Sequence, residues 1–288
     1  MIAIPRLVPG RSLFAASGQI WATMRAEIVM QWRRWGLWVA FACATGLLLL
    51  LTIQAATYLL HLPPNSIYVR QHYTPEDLDN LMVYDTGMYG SIFFGLVVAL
   101  LVVDRVGRDR SLGMFELQRA TPQGYAPYVL GKFLGNYVAV LVPTLLVYLL
   151  CALISLVLGW PLMLLLKLMQ AFVLVFVPSS LAAVGLTLLL ASFLPLRVVQ
   201  VGFSLLWLYF NTGLGRYGFG ASIFNPSGLY VYPVFFPLTT LMPTVYPNFK
   251  TSMQLALLNI AVLLLTAIVA LFLTYGSLAF QRHREEEA

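Results

Sequence analysis

The chain has 288 residues, 60% of them hydrophobic and only 10% charged, where soluble domains carry about 25% charge. A soluble core of this make-up would leave too little polar surface to cover it. Soluble enzymes, disordered scaffolds and nucleic-acid-binding domains are therefore excluded at the outset. The net charge of +6 then matters through where the basic residues fall rather than through its sum.

The first eighteen residues contain Ala15-Ala16-Ser17, which looks like a small-residue cleavage site. Pro5, Arg6, Pro9 and Arg11 break any apolar signal region there, so the stretch reads as a cytoplasmic tail ahead of an uncleaved anchor. Trp21, Met24, Ile28, Trp32 and Trp35 then recur at helical spacing while Arg33 and Arg34 project elsewhere. This stripe predicts a helix over 19–35 lying in the cytoplasmic headgroup layer, or else the tryptophan belt of a long first span.

A transmembrane helix needs ~20 mostly apolar residues to cross ~30 Å of hydrocarbon. Uncharged runs at 36–60, 87–103, 133–159, 168–194, 198–215 and 254–280 predict six spans. Pro143 and Pro178 are candidate kinks in the third and fourth. The apolar stretch 228–243 is broken by Pro233, Pro237 and Pro243 and reads as interfacial or re-entrant, within an aromatic external segment 216–253. With both termini cytoplasmic, only Arg70, Lys167, Arg216 and Lys250 of the 17 basic residues lie outside, a strong positive-inside bias. The expected architecture is all-α and integral to the membrane, one transmembrane domain over 1–288.

In the external loop 61–86, Thr74-Pro75-Glu76-Asp77 has the form of a helix start: a capping threonine, proline at the first position, acids in the first turn. His61, His72 and the nearby acids match no metal-ligand spacing. The two cysteines, Cys43 and Cys151, sit in apolar runs and read as small buried hydrophobes.

All 11 acids and all 3 histidines fall outside the six spans. Ion-coupled carriers normally keep an ionisable group at membrane depth to bind the driving ion, so this distribution argues against one, although a Na⁺ site of backbone carbonyls would escape the argument. Ser179-Ser180 has no histidine or acid in the membrane to act as base. Gly124 to Gly131-Lys132 has six intervening residues where a phosphate-cradling loop has four, and Phe133 follows. The chain has no nucleotide site of its own, and it reads as neither an enzyme nor a cofactor binder.

The longest cytoplasmic loop, 104–132, is also the most polar stretch. Residues 111–120 can form two to three helical turns, with Asp109 or Ser111 as N-cap and Thr121-Pro122 as stop. Leu112 and Phe115 give this helix an apolar edge, and Glu116 with Arg119 a polar one. Held between two spans, it could pass force from a cytoplasmic partner into the bundle, or be an ordinary solvated loop.

Gly113-Met114-Phe115-Glu116-Leu117, Thr121-Pro122 and Leu130-Gly131-Lys132 together resemble the "G-T-L-E-L … T-P … L-G-K" signature of ABC-2 type permeases, the membrane subunits of bacterial and archaeal ABC exporters. Gln123-Gly124, where the family often has a basic residue, and Met114-Phe115 in place of Thr-Leu depart from the pattern. The resemblance implies a coupling helix that docks on a separate ATP-binding cassette ATPase through Arg108, Asp109, Arg110, Leu112, Gly113, Phe115, Glu116, Arg119, Thr121 and Pro122. ATP and Mg would belong to that partner. It further implies a permease dimer in the plasma (inner) membrane, in contact with membrane lipid. Its path would be lined by Tyr89, Phe93, Phe94, Trp207, Tyr209 and Asn211. Those uncharged side chains suggest export of an apolar or amphipathic cargo. Two other readings stay open: a non-transporting scaffold or sensor subunit that recruits an ATPase, and an ion-driven carrier.

Overall fold

An apolar chain of this kind has to satisfy its backbone polar groups internally, and helices do so residue by residue. The computed structural model describes residues 13–60, 74–111, 125–211, 222–237 and 251–286, and these are helical or in turns, with no strand among the described residues. In chain order the helices are α1 (Leu13–Trp32), α2 (Trp35–Leu60), α3 (Pro75–Ser111) and α4 (Tyr125–Val157). A long element follows, made of α5 (Met163–Ala171), a π-helical turn (Phe172–Phe176) and α6 (Val177–Phe193). The last three are α7 (Leu196–Asn211), the single turn α8 (Tyr232–Phe235) and α9 (Met253–Glu286).

Among the described residues, five stretches are long and apolar enough to cross a membrane: Trp35–Leu60, Pro75–Val103, Ala126–Val157, Met163–Phe193 and Met253–Phe280. This is the build of an all-α, multi-pass membrane protein. The helix at the position of the remaining expected span, 198–215, is α7. Its 16 described residues reach about 24 Å, short of the ~30 Å of hydrocarbon. Residues 212–215 lie outside the described part of the chain.

Helix α3 differs most from the sequence reading. Instead of a short external helix, a span and a loop, one helix of 37 residues runs about 55 Å from Pro75 to Ser111. Thr74 and Asp77 start it with reciprocal bonds: the Thr74 N–H donates to Asp77 Oδ2 at 2.9 Å, and the Asp77 N–H to Thr74 Oγ1 at 3.2 Å. No proline follows Pro75 within it, so Asp109 and Ser111, expected as N-caps of a new helix, lie in its last turn. Gly87, Gly90 and Gly95 do not break it, because rings occupy the space their side chains would fill. A Cβ on Gly87, Gly90 or Gly95 would collide with Tyr232, Tyr148 or Trp207 respectively. Each ring comes from a different element, and α3 is the most enclosed of the five long stretches, with 71% of its apolar window buried.

Proline shapes two other helices. One turn before Pro178 the helix widens into the π turn, and the Ser179 and Ser180 hydroxyls donate to the carbonyls of Phe176 (3.0 Å) and Val177 (3.1 Å). Pro143 sits inside α4 and leaves the Ala139 carbonyl without its helical donor. Of the two cysteines, Cys151 is buried as expected, but Cys43 is exposed on α2. The face of α2 that packs carries Phe41, Ala44 and Leu48 instead, and position 43 points away from it.

The Gly95 notch yields a test. Gly95→Leu should force the Trp207 indole out and lower the stability of the detergent-solubilised chain by about 1–3 kcal/mol, the usual cost of overpacking. A thermal melt of the variant that matches the parent would contradict the notch.

Candidate functional site at the α1–α4 seam

The first turns of α4 pack lengthwise against α1, and the contact follows from small residues at a four-residue spacing. Added Cβ atoms at Gly131 and Gly135 would lie 2.6 Å from the Cβ atoms of Thr23 and Glu27 respectively. Only glycine lets the two backbones come this close. The Leu130-Gly131-Lys132 segment, singled out in the sequence for its resemblance, thus forms part of a helix–helix seam.

Polar groups fill the rest of the seam. Lys132 Nζ lies 3.5 Å from Glu27 Oε1, with both side chains almost fully buried, at 7% and 5% exposure. The ammonium also sits 3.4 Å from the Tyr128 hydroxyl and 5.4 Å from the centre of its ring. One turn on, Gln31 Nε2 donates to Asn136 Oδ1 at 2.6 Å, and Asn136 Nδ2 donates to the Lys132 carbonyl at 2.8 Å. At the end of α1, the Trp32 indole N–H donates to the Ala139 carbonyl at 3.1 Å, the acceptor that Pro143 leaves open. The Trp32 carbonyl in turn accepts from the Trp38 indole at 2.7 Å, across the break at Arg33-Arg34. Trp32 therefore ties α1, α4 and the start of α2 together. The sequence reading placed Trp32 on a membrane-facing stripe and gave Glu27, Gln31 and Asn136 no role. Two signals could have found the seam: the spacing of Gly131 and Gly135, and the position of Ala139 four residues before Pro143.

Of the expected ATPase-contact residues, Arg108, Asp109 and Arg110 fall in the last turn of α3. Leu112, Gly113, Phe115, Glu116, Arg119, Thr121 and Pro122 lie outside the described residues. The described chain reaches that loop from both sides, through Ser111 at the end of α3 and Tyr125 at the start of α4.

The residues expected to line a path do not share one surface. Tyr89 and Phe93 stack at 6.2 Å on a half-buried side of α3, while Phe94 is fully buried against Phe41 of α2 at 5.4 Å. Trp207 fills the Gly95 notch and donates to the Ile92 carbonyl at 3.3 Å. Tyr209 is partly exposed beside Phe210. Asn211 is buried at the end of α7, its Nδ2 donating to the Trp207 carbonyl at 2.9 Å.

A second polar cluster gathers at this same end of α7. Asn225 Nδ2 donates to the Phe210 carbonyl at 3.0 Å, and its Oδ1 accepts from the backbone N–H and hydroxyl of Ser227. Asn259 Nδ2 of α9 donates to the carbonyls of Ile223 (2.7 Å) and Asn225 (3.0 Å). These amides satisfy backbone carbonyls of α7 and of the turns at 223–225. They also hold residues 222–237 inside the bundle, where Val231, Tyr232 and Phe236 are buried. Lys167 of α5 completes this end, donating to Asn80 Oδ1 at 2.8 Å near Asp79, while Asn80 Nδ2 donates to the Pro237 carbonyl at 2.8 Å.

No protein-family model matches this chain, and no curated protein matches it.

The seam makes an asymmetric prediction. Lys132→Met strands a buried carboxylate and should cost about 3–5 kcal/mol, while Lys132→Met with Glu27→Leu should recover most of that loss. Thermal melts of the parent, both single variants and the double variant measure it. A single variant as stable as the parent, or a double variant no better than the singles, would remove the pair from the account.

Proposed function

We propose that the chain is the permease subunit of an ATP-binding cassette transporter of the ABC-2 type, coupled to a separate ATPase and exporting an apolar or amphipathic cargo. The observation that carries this reading is the setting of the signature loop. It joins the end of α3, a helix of 37 residues, to the first turns of α4, where α1 is clamped across Gly131 and Lys132. A push on residues 112–124 would thus enter two stiff elements at once. Displacing the ends of α3 and α4 would move their whole length, because helices bend far less readily than loops.

Six crossings with both termini inside fit the connectivity. Ser192 Oγ donates to Ser277 Oγ at 3.5 Å, so the end of α6 neighbours the late part of α9, whereas Asn259 in the early part of α9 bonds to residues 223 and 225. This supports a return of the chain between α6 and α9. We take α7 together with 222–237 as that sixth crossing, with the loop at 112–124 and its basic flanks on the cytoplasmic side of the plasma membrane. A second permease copy would complete the pathway. Tyr89, Phe93 and Tyr209 are its best candidates in this chain, since Phe94, Trp207 and Asn211 are engaged in internal packing.

The test is reconstitution in vesicles with the ATPase encoded beside this reading frame. Glu116→Arg, or deletion of 111–120, should abolish cargo-stimulated ATP hydrolysis while membrane insertion is unchanged. Full stimulation in either variant would overturn the coupling role. ATP turnover without cargo movement in the parent would favour a scaffold.

A further inference from the structure

Four of the chain's 6 tryptophans fall between residues 21 and 38. All four are open to the surroundings: Trp21 is 62% exposed, Trp32 40%, Trp35 84% and Trp38 46%, whereas Trp160 and Trp207 are buried at 6% and 5%. Indole rings left open on a membrane protein favour the headgroup level, where an apolar body meets water. Two of these rings have already used their N–H groups within the chain, Trp32 on the Ala139 carbonyl and Trp38 on the Trp32 carbonyl. What they present outward is therefore apolar.

The charge on the same surface has one sign. Arg25 and Arg33 are exposed. Glu27 is the only acid before Glu76, and it is turned inward and neutralised by Lys132 in the seam. The outward side of α1 and the corner leading into α2 thus combine open indoles with arginines, and no other acid lies on α1 or α2 to offset them. A zwitterionic bilayer would satisfy the indoles but offers the arginines only phosphates already balanced by their own headgroup cations, with no net negative potential. Phosphate-bearing anionic lipids satisfy both, because a basic residue near a bilayer surface is drawn to its negative lipids. We propose that this face is a docking surface for the headgroups of anionic phospholipids, which bind beside Arg25 and Arg33 while the tryptophans set the depth of α1. The inference needs the chain to be in a bilayer and does not depend on transport.

The full-length chain in nanodiscs of zwitterionic phosphatidylcholine provides the test. Brominated phosphatidylglycerol or brominated phosphatidylcholine is introduced at matched mole fractions, and quenching of tryptophan fluorescence is followed. The anionic lipid should reach half-quenching at a several-fold lower mole fraction. Arg25→Gln with Arg33→Gln should bring the two lipids to parity, and Arg25→Lys with Arg33→Lys should retain the preference. On the unmodified protein, 0.5 M NaCl should also reduce the preference, a readout that needs no variant to fold. Equal quenching by both lipids in the parent would overturn the proposal and point to a protein partner or an indifferent belt. A preference unchanged by both the glutamines and salt would overturn it as well.

Discussion

A backbone carbonyl that loses its donor inside an apolar bundle must find another, and Pro143 creates one at Ala139. The donor that answers it is the Trp32 indole at the end of α1. That bond, with the Glu27–Lys132 and Gln31–Asn136 pairs below it, fixes α1 in register along α4. The same tryptophan accepts from Trp38 across the break into α2, so the entry angle of α2 depends on it too. Burying a charge pair is rarely favourable for stability alone. Its consequence here is register: a slip of one residue along the seam would separate both polar pairs and drive a Cβ into Gly131 or Gly135.

The other end of the molecule is organised by the same rule. In the last described turns of α7, the Trp207 and Phe210 carbonyls are met by the Asn211 and Asn225 amides. Asn259 and Asn80 then hold residues 222–237 through backbone carbonyls. Between the two ends lies α3, with its glycine positions occupied by rings from its neighbours. Force applied at one end of α3 would therefore reach the inserted segment directly, since Tyr232 rests on Gly87. In the proposed transporter this would link the ATPase side of the chain to the cluster that closes the opposite side.

The sequence disclosed the helical, membrane-spanning class because 60% hydrophobic content in long uncharged runs has few other solutions. Thr74-Pro75 gave the start of α3 for a local reason, the cap chemistry, which the structure bears out. The length of α3 was not legible, since Gly87 and Gly90 look like weak points until the tyrosines that fill them are known. Cys43 was misread because a helix in lipid can leave an apolar face outward, so an apolar run does not say which side is buried. The seam was half visible. Gly131 and Lys132 stood out as a motif, but Glu27 lies more than a hundred residues away, and nothing local joins the two. Tryptophan spacing revealed the open stripe but not that one of its members also bonds inward.

The central claim is that α1 is held in one register against the start of α4, so that the signature loop opens onto a rigid base. Thiol cross-linking with a short bifunctional reagent reads this register directly in a Cys43→Ser, Cys151→Ser background. Gln31→Cys should cross-link efficiently with Asn136→Cys, and Glu27→Cys with Lys132→Cys, while cysteines at 130 or 134 should cross-link poorly with either. Cross-linking that is absent, or equal at all four α4 positions, would mean that α1 is not fixed on α4, and the account built on the seam would fail.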